Sequence, residues 1–134
     1  MTEAYLDACC LIYMNEGAPA WRAAIASRLA ALPASGGLVT SRISRLECRS
    51  KPIRAGDTAL LARYDATFAT GRVVEVTAAI IERATDLRAR YGFRTPDAIH
   101  LATAVEANVD VFLTGDASLA RCTEVRVDVL TPAP

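Results

Sequence analysis

The stretch Thr95–Asp116, TPDAIHLATAVEANVDVFLTGD, constrains the fold more than any other part of the chain. It reads as a helix opening on Thr-Pro with an acid in its first turn, then a short apolar strand, then a second acid where that strand stops. The N-terminus repeats the latter half of this pattern: Ala4-Tyr5-Leu6 reads as a buried strand, and Asp7 follows it directly. Short apolar strands alternating with helices imply a parallel sheet covered on both faces. In such open α/β sheets ligands bind in the crevice beyond the carboxyl ends of the strands. Acids that leave strand ends therefore have a reason to meet there, and clustered carboxylates without neighbouring bases point to a hard divalent cation.

The rest of the chain continues the alternation. Cys9 to Asn15 reads as helix, stopping near Gly17, and Pro19 to Leu32 as a second, closed by Pro33-Ala34-Ser35-Gly36-Gly37. Leu38-Val39-Thr40 makes a strand, with Ser41 able to cap a helix through Ile43, Leu46 and Glu47 that Pro52 breaks. Asp57 opens a helix through Leu60, Leu61, Tyr64 and Phe68; Val73 to Val76 is a strand; Thr77 caps a helix through Ile80, Ala84 and Leu87 that Gly92 ends. Thr95 caps the next helix, Val109 to Leu113 is a strand, a short helix follows Asp116, and Val125 to Leu130 is the last strand. The expectation is one α/β domain over residues 1–134, a parallel sheet of about five strands with helices on both faces.

Composition narrows the class. A 52% apolar fraction fits a compact fold rather than a disordered chain. No apolar run approaches the roughly 18 residues that span a bilayer, and no early Lys or Arg marks a secretory signal, so the expected place is the cytoplasm. Cys9, Cys10, Cys48 and Cys122 have no zinc or C-x-x-C spacing and read as small apolar residues of a reducing compartment. Fifteen basic and fifteen acidic residues cancel, yet fourteen of the basic ones are arginine, suited to bidentate phosphate contacts. If several acids neutralise a cation, the remaining surface is net basic, so charge balance leaves a phosphate-rich partner open.

Each acid also has a structural reading. Asp7 and Asp116 can be helix caps, Asp97 sits in a first turn where negative charge is favoured, and Ser44-x-x-Glu47 matches a capping box. Against this, Glu47 follows Leu46 at the border of an apolar helix face, where a carboxylate is costly without a partner. Two carboxylates about 4 Å apart repel by roughly 4 kcal/mol at an effective dielectric near 20, so four gathered acids need a cation or shifted pKa values. His100, the single histidine, lies three positions after Asp97; it reads as a metal ligand, a proton carrier or, as the commoner use, a hydrogen-bonded core residue. Trp21, Tyr64 and Phe68 fall on apolar helical stripes that suit a core or a dimer interface. Arg42, Arg45 and Arg49 share a helix face, either solvated or facing an RNA backbone.

The segments YLDACCLIY, LVTSRISRLECR, RTPDAIHLATA and VFLTGDASLA together resemble the ordered motifs of PIN-domain ribonucleases, most of all the VapC-type toxins of bacterial toxin–antitoxin pairs. The resemblance spans nearly the whole chain and implies a parallel sheet flanked by helices. It places Asp7, Glu47, Asp97 and Asp116 on the family's acidic metal-binding positions, with Mg2+ or Mn2+ as cofactor and metal-dependent hydrolysis of RNA as the reaction. Thr114 would orient a carboxylate or a metal-bound water. Partners implied are an RNA substrate, tRNA or ribosomal RNA, a cognate antitoxin and a second copy of the chain. Two departures stand out: Ala8 and Cys9 follow Asp7 where the family often has a hydroxyl residue, and Thr114-Gly115-Asp116 replaces the frequent Thr-Asn-Asp. Of the alternatives, a phosphate-transfer or phosphatase domain on a similar sheet lacks parts. The one lysine, Lys51, is mid-chain, Cys9 stands where a second Asp would be, and no G-x-x-x-x-G-K-[ST] loop occurs. A catalytically inert PIN-like binding module keeps the fold without the chemistry.

Overall fold

The computed structural model describes residues 2–32 and 37–134. Its strands β1 (Ala4–Leu6), β2 (Leu38–Ser41), β3 (Arg72–Val74), β4 (Val111–Thr114) and β5 (Val127–Val129) form one sheet in the order β3-β2-β1-β4-β5, every pair parallel. Between them run α1 (Ala8–Glu16), α2 (Pro19–Ala30), α3 (Arg42–Ala55), α4 (Thr58–Ala69), α5 (Ala78–Tyr91) and α6 (Thr95–Glu106), with a 3-10 helix at Ala117–Arg121. The expected α/β architecture is the observed one.

Strand alternation divides the core into two layers. Tyr5, Val39 and Phe112 point to one face, where Ile80, Ala84 and Leu87 of α5 and Ala98 and Leu101 of α6 cover them. Ala4, Leu6, Leu38 and Leu113 point to the other, under Leu11 of α1, Ile25 of α2, Cys48 of α3 and Leu60, Tyr64 and Phe68 of α4. Tyr64 and Phe68 are therefore core residues, and Trp21 is half-buried with its ring stacked on Tyr13 at 4.4 Å.

The chain leaves β1 for β2 and β3 on one side and returns to β4 and β5 on the other, so the strand order reverses between β1 and β4. That reversal opens the crevice in which doubly wound sheets bind ligands. The register pairs Leu6 with Leu113, and one step further Asp7 and Thr114 stand side by side, the Asp7 amide donating to the Leu113 carbonyl at 3.0 Å.

Several boundaries differ from the sequence expectation. Pro52 does not break α3: the helix continues to Ala55 and ends at Gly56 in the left-handed conformation, φ 67°. Pro52 is buried there, and its packing offsets the lost amide hydrogen bond that normally excludes proline from helix interiors. The capping box of α3 is formed by Ser41 and Ser44, not by Ser44 and Glu47. The Ser41 hydroxyl accepts the Ser44 amide, and the Ser44 hydroxyl accepts the Ser41 amide at 3.2 Å. Thr95 is the first helical residue of α6 rather than its cap; Arg94 occupies that position without a side-chain bond. Each of β3, β4 and β5 is shorter than expected, or shifted by one or two residues, at its ends. The expected stop at Pro33–Gly37 lies outside the described residues except for Gly37.

Candidate active site

Asp7, Glu47, Asp97 and Asp116 lie toward the carboxyl edge of the sheet on four separate segments. Asp7 follows β1 and is the cap of α1: its Oδ1 accepts the Ala8 amide at 2.8 Å. It is 6% exposed, which makes it the most buried of the chain's acids among the described residues. Its Oδ2 accepts the Thr114 hydroxyl at 2.8 Å and lies 3.5 Å from the Cys9 thiol. Asp116 follows β4 and caps the 3-10 helix, its Oδ1 accepting both the amide (2.9 Å) and the hydroxyl (2.7 Å) of Ser118. Thr114 links the two acids, since its hydroxyl donates to Asp7 and accepts the Asp116 amide at 3.0 Å.

Asp97 stands in the first turn of α6. That turn is aimed by the preceding loop, in which Gly92 takes φ 76° and Arg88 Nη1 donates to the Phe93 carbonyl at 2.7 Å. The Asp97 carboxyl is pushed above its ordinary range, first by partial burial and then by the Asp7 charge; Arg94 opposes this and Asp116 adds to it. Asp7, Asp97 and Asp116 thus share one electrostatic neighbourhood. Arg94 is the cation beside them, its Nε 3.5 Å from Asp97 Oδ2 and its side chain largely exposed.

Glu47 sits in the second turn of α3, freed from capping by Ser41 and Ser44. Its Oε1 lies 2.5 Å from His100 Nε2. His100 is buried, and its Nδ1 is 2.6 Å from the Tyr5 hydroxyl, which in turn reaches Ser41 Oγ at 2.9 Å. Burial holds the Tyr5 phenol well above the usual range; Ser41 and Ser44 oppose this, and the Asp7 and Glu47 charges reinforce it.

The arginines at 42, 45 and 49 are each engaged with an acid. Arg42 pairs with Glu75 at 2.9 Å, Arg49 pairs with Asp65 at 2.8 Å, and Arg45 approaches Asp65 at 3.9 Å while lying over the Phe68 ring. They bind α3 to α4 and to the segment after β3. Tyr5 and Cys9 join the network around the acids with no sequence signal for the contacts they make. Tyr5 is hidden inside an apolar strand run, and its hydroxyl has no local signal. Cys9 reads as apolar filler, yet its sulfur receives the Gly115 amide at 3.3 Å and contacts Asp7. The Cys10 thiol lowers the Cys9 pKa, with burial and Asp7 acting against it.

The donor set is hard oxygen, the kind that suits Mg2+ or Mn2+. As the side chains stand, no three of the described His, Cys, Asp and Glu residues are grouped to hold one ion. Asp116 is bonded to Ser118 and Glu47 to His100. An ionised carboxylate offers about four lone-pair sites, so these bonds leave acceptor capacity on both acids.

The PIN domain family model matches residues 4–125, and the chain belongs to that family. No curated protein matches it by sequence. Among solved structures it is similar to a toxin–antitoxin complex from Klebsiella pneumoniae, with 25% identity, 92% of this chain and 95% of that one covered, and a TM-score of 0.74. It is also similar to VapBC2 from Rickettsia felis bound to a promoter DNA fragment (12% identity, 97% and 100% covered, TM-score 0.81). A third is VapC20 of Mycobacterium tuberculosis, a toxin that cleaves the sarcin–ricin loop (21% identity, 92% and 99% covered, TM-score 0.70). At 12% and 21% identity, the last two establish the fold alone. No helix among the described residues is long and apolar enough to cross a membrane.

Proposed function

We propose that this PIN-domain chain is a metal-dependent endoribonuclease acting in the cytoplasm as the toxin of a type II toxin–antitoxin pair. The observation that carries the reading is that Asp7, Asp97 and Asp116 share one electrostatic neighbourhood where the strand order reverses. The Asp97 carboxyl is raised first by partial burial and then by Asp7, with Asp116 adding to it. Gathering anions in a half-buried pocket works against folding unless the site holds a cation in use. Asp7, Glu47, Asp97 and Asp116 would hold Mg2+ or Mn2+, which when bound supplies positive charge to the phosphodiester and acidity to water.

The chain's own groups do the rest. Thr114 fixes the rotamer of Asp7 and ties it to the Asp116 backbone. Arg94, exposed beside Asp97, would take a phosphate oxygen of the substrate backbone. Arg42, Arg45 and Arg49 would meet a longer RNA along α3 by exchanging their Glu75 and Asp65 partners for phosphate, Arg42 being the most exposed of the three. The substrate class is tRNA or ribosomal RNA, in line with the sarcin–ricin loop cleaved by the mycobacterial neighbour. The partners are an antitoxin, as in the complexes it resembles, and, on the family resemblance alone, a second copy of the chain.

A binding-only PIN module is the second reading, and one observation favours it: no three acids are already set to ligate an ion. Cleavage of total tRNA and ribosomal RNA, with and without Mg2+ or Mn2+ and alongside Asp97→Asn, decides between them. Metal-dependent cutting lost in the variant establishes the nuclease. Inert wild-type protein that binds no metal establishes the module.

A further inference from the structure

We propose that Tyr5 and His100 form a buried positioning strut that presents the Glu47 carboxylate to a divalent cation in the acidic pocket. The inference rests on the metal site proposed above. Three rigid elements meet in the strut. Tyr5 is on the central strand β1, His100 on α6 and Glu47 on α3, joined by contacts of 2.6 Å at Nδ1 and 2.5 Å at Nε2. Tyr5 and His100 are 0% and 1% exposed, whereas the Glu47 side chain is 31% exposed. The chain of contacts thus runs from the buried core to an acid that is partly open to solvent beyond the end of β2.

The chemistry fixes the direction of the last bond. An ionised carboxylate only accepts, so His100 Nε2 carries a proton toward Glu47 Oε1 whichever partner supplies the proton between Tyr5 and Nδ1. Tyr5 in turn is held by Ser41 Oγ at 2.9 Å, within the cap of the same helix that bears Glu47. The ring can neither rotate nor shift without breaking one of these bonds, and buried polar groups left unpaired are costly. Among the described residues no other protein group hydrogen-bonds Glu47, so Oε2 is left for the ion or its water. A long, flexible acid is thereby delivered in one rotamer, as the hydrogen-bonded partners of metal ligands do in general.

The single histidine makes the test direct. The 15N imidazole spectrum of wild-type protein at neutral pH should show Nε2 protonated. Mn2+ affinity, measured by calorimetry, should fall about 10-fold or more in Tyr5→Phe and His100→Asn. His100→Gln, whose amide nitrogen falls near the Nε2 position, should recover most of it, since a merely structural histidine gives no reason for Gln to exceed Asn. An unprotonated Nε2, or Mn2+ bound equally by wild type, Tyr5→Phe and His100→Asn, overturns the strut. Tyr5→Phe keeps the ring and its stacking on Phe112, so it remains informative if the His100 variants fail to fold. Wild type that binds Mn2+ yet cuts no RNA overturns the nuclease reading and not this one; wild type that binds no Mn2+ overturns both.

Discussion

Asp97 is where the site's electrostatics reach stability. Its carboxyl is held above the ordinary range by burial and by Asp7, so the native state binds a proton there more tightly than the unfolded chain does. That preference stabilises the fold below the ordinary carboxylate pKa and is lost as pH rises through the raised value. Asp97→Asn abolishes the loss: without metal its melting temperature should meet or exceed that of wild type at neutral pH, the gap closing as pH falls below 4. Melting curves of both proteins across that range check this, and a grossly unfolded variant would contradict it. Gly115 shows how the departure from Thr-Asn-Asp is built in. A Cβ there would stand 2.5 Å from the Tyr13 hydroxyl oxygen and 3.0 Å from its ring edge. The obstructing atoms are the far end of a partly exposed ring that can move aside. Gly115→Ala should therefore destabilise by no more than about 1 kcal/mol, the low end for overpacking, and Tyr13→Phe should restore part of it in denaturant titrations.

Among the elements, two acids serve both fold and proposed chemistry. Asp116 caps the 3-10 helix and Asp7 caps α1 through side-chain acceptors, and asparagine caps as well as aspartate does. Asp116→Asn should lose RNA cleavage with little change in stability. Asp116→Ala should lose cleavage and about 0.5–2 kcal/mol together, read from paired activity and unfolding measurements. The same logic explains what was legible in the sequence. Strand-then-acid at Asp7 and Asp116, and Thr-Pro ahead of Asp97, are local signals whose partners lie within a few residues. The capping of α3 is local too, but two serines compete for one pattern. Ser41, at the end of β2, wins because its hydroxyl is buried where it also meets Tyr5. Pro52 departs from its local signal for a different reason: it is buried within α3, and burial is decided by tertiary packing that no window of sequence contains.

At the scale of the molecule, the sheet order could not be read from residues near any acid. It places β1 between β2 and β4, and only that adjacency converts three separate strand ends into one pocket. The Tyr5–His100–Glu47 contacts span 95 and 53 residues of sequence, which is why a lone histidine gave no direction by itself. The pocket's anions repel in the absence of a cation, so binding should be felt by the whole fold. An ion that prefers the native state stabilises it by about 2.7 kcal/mol at 100 times its Kd. Mn2+ should therefore raise the melting temperature of wild type in a concentration-dependent way. In Asp7→Asn/Asp97→Asn the apo protein should start from a melting point at least as high, because the repulsion is gone, and the metal increment should vanish. Thermal unfolding of both proteins over a Mn2+ series reads the two effects separately. An equal increment in wild type and double variant would mean that the ion binds elsewhere, and that the acids at the β1–β4 crevice are caps and nothing more.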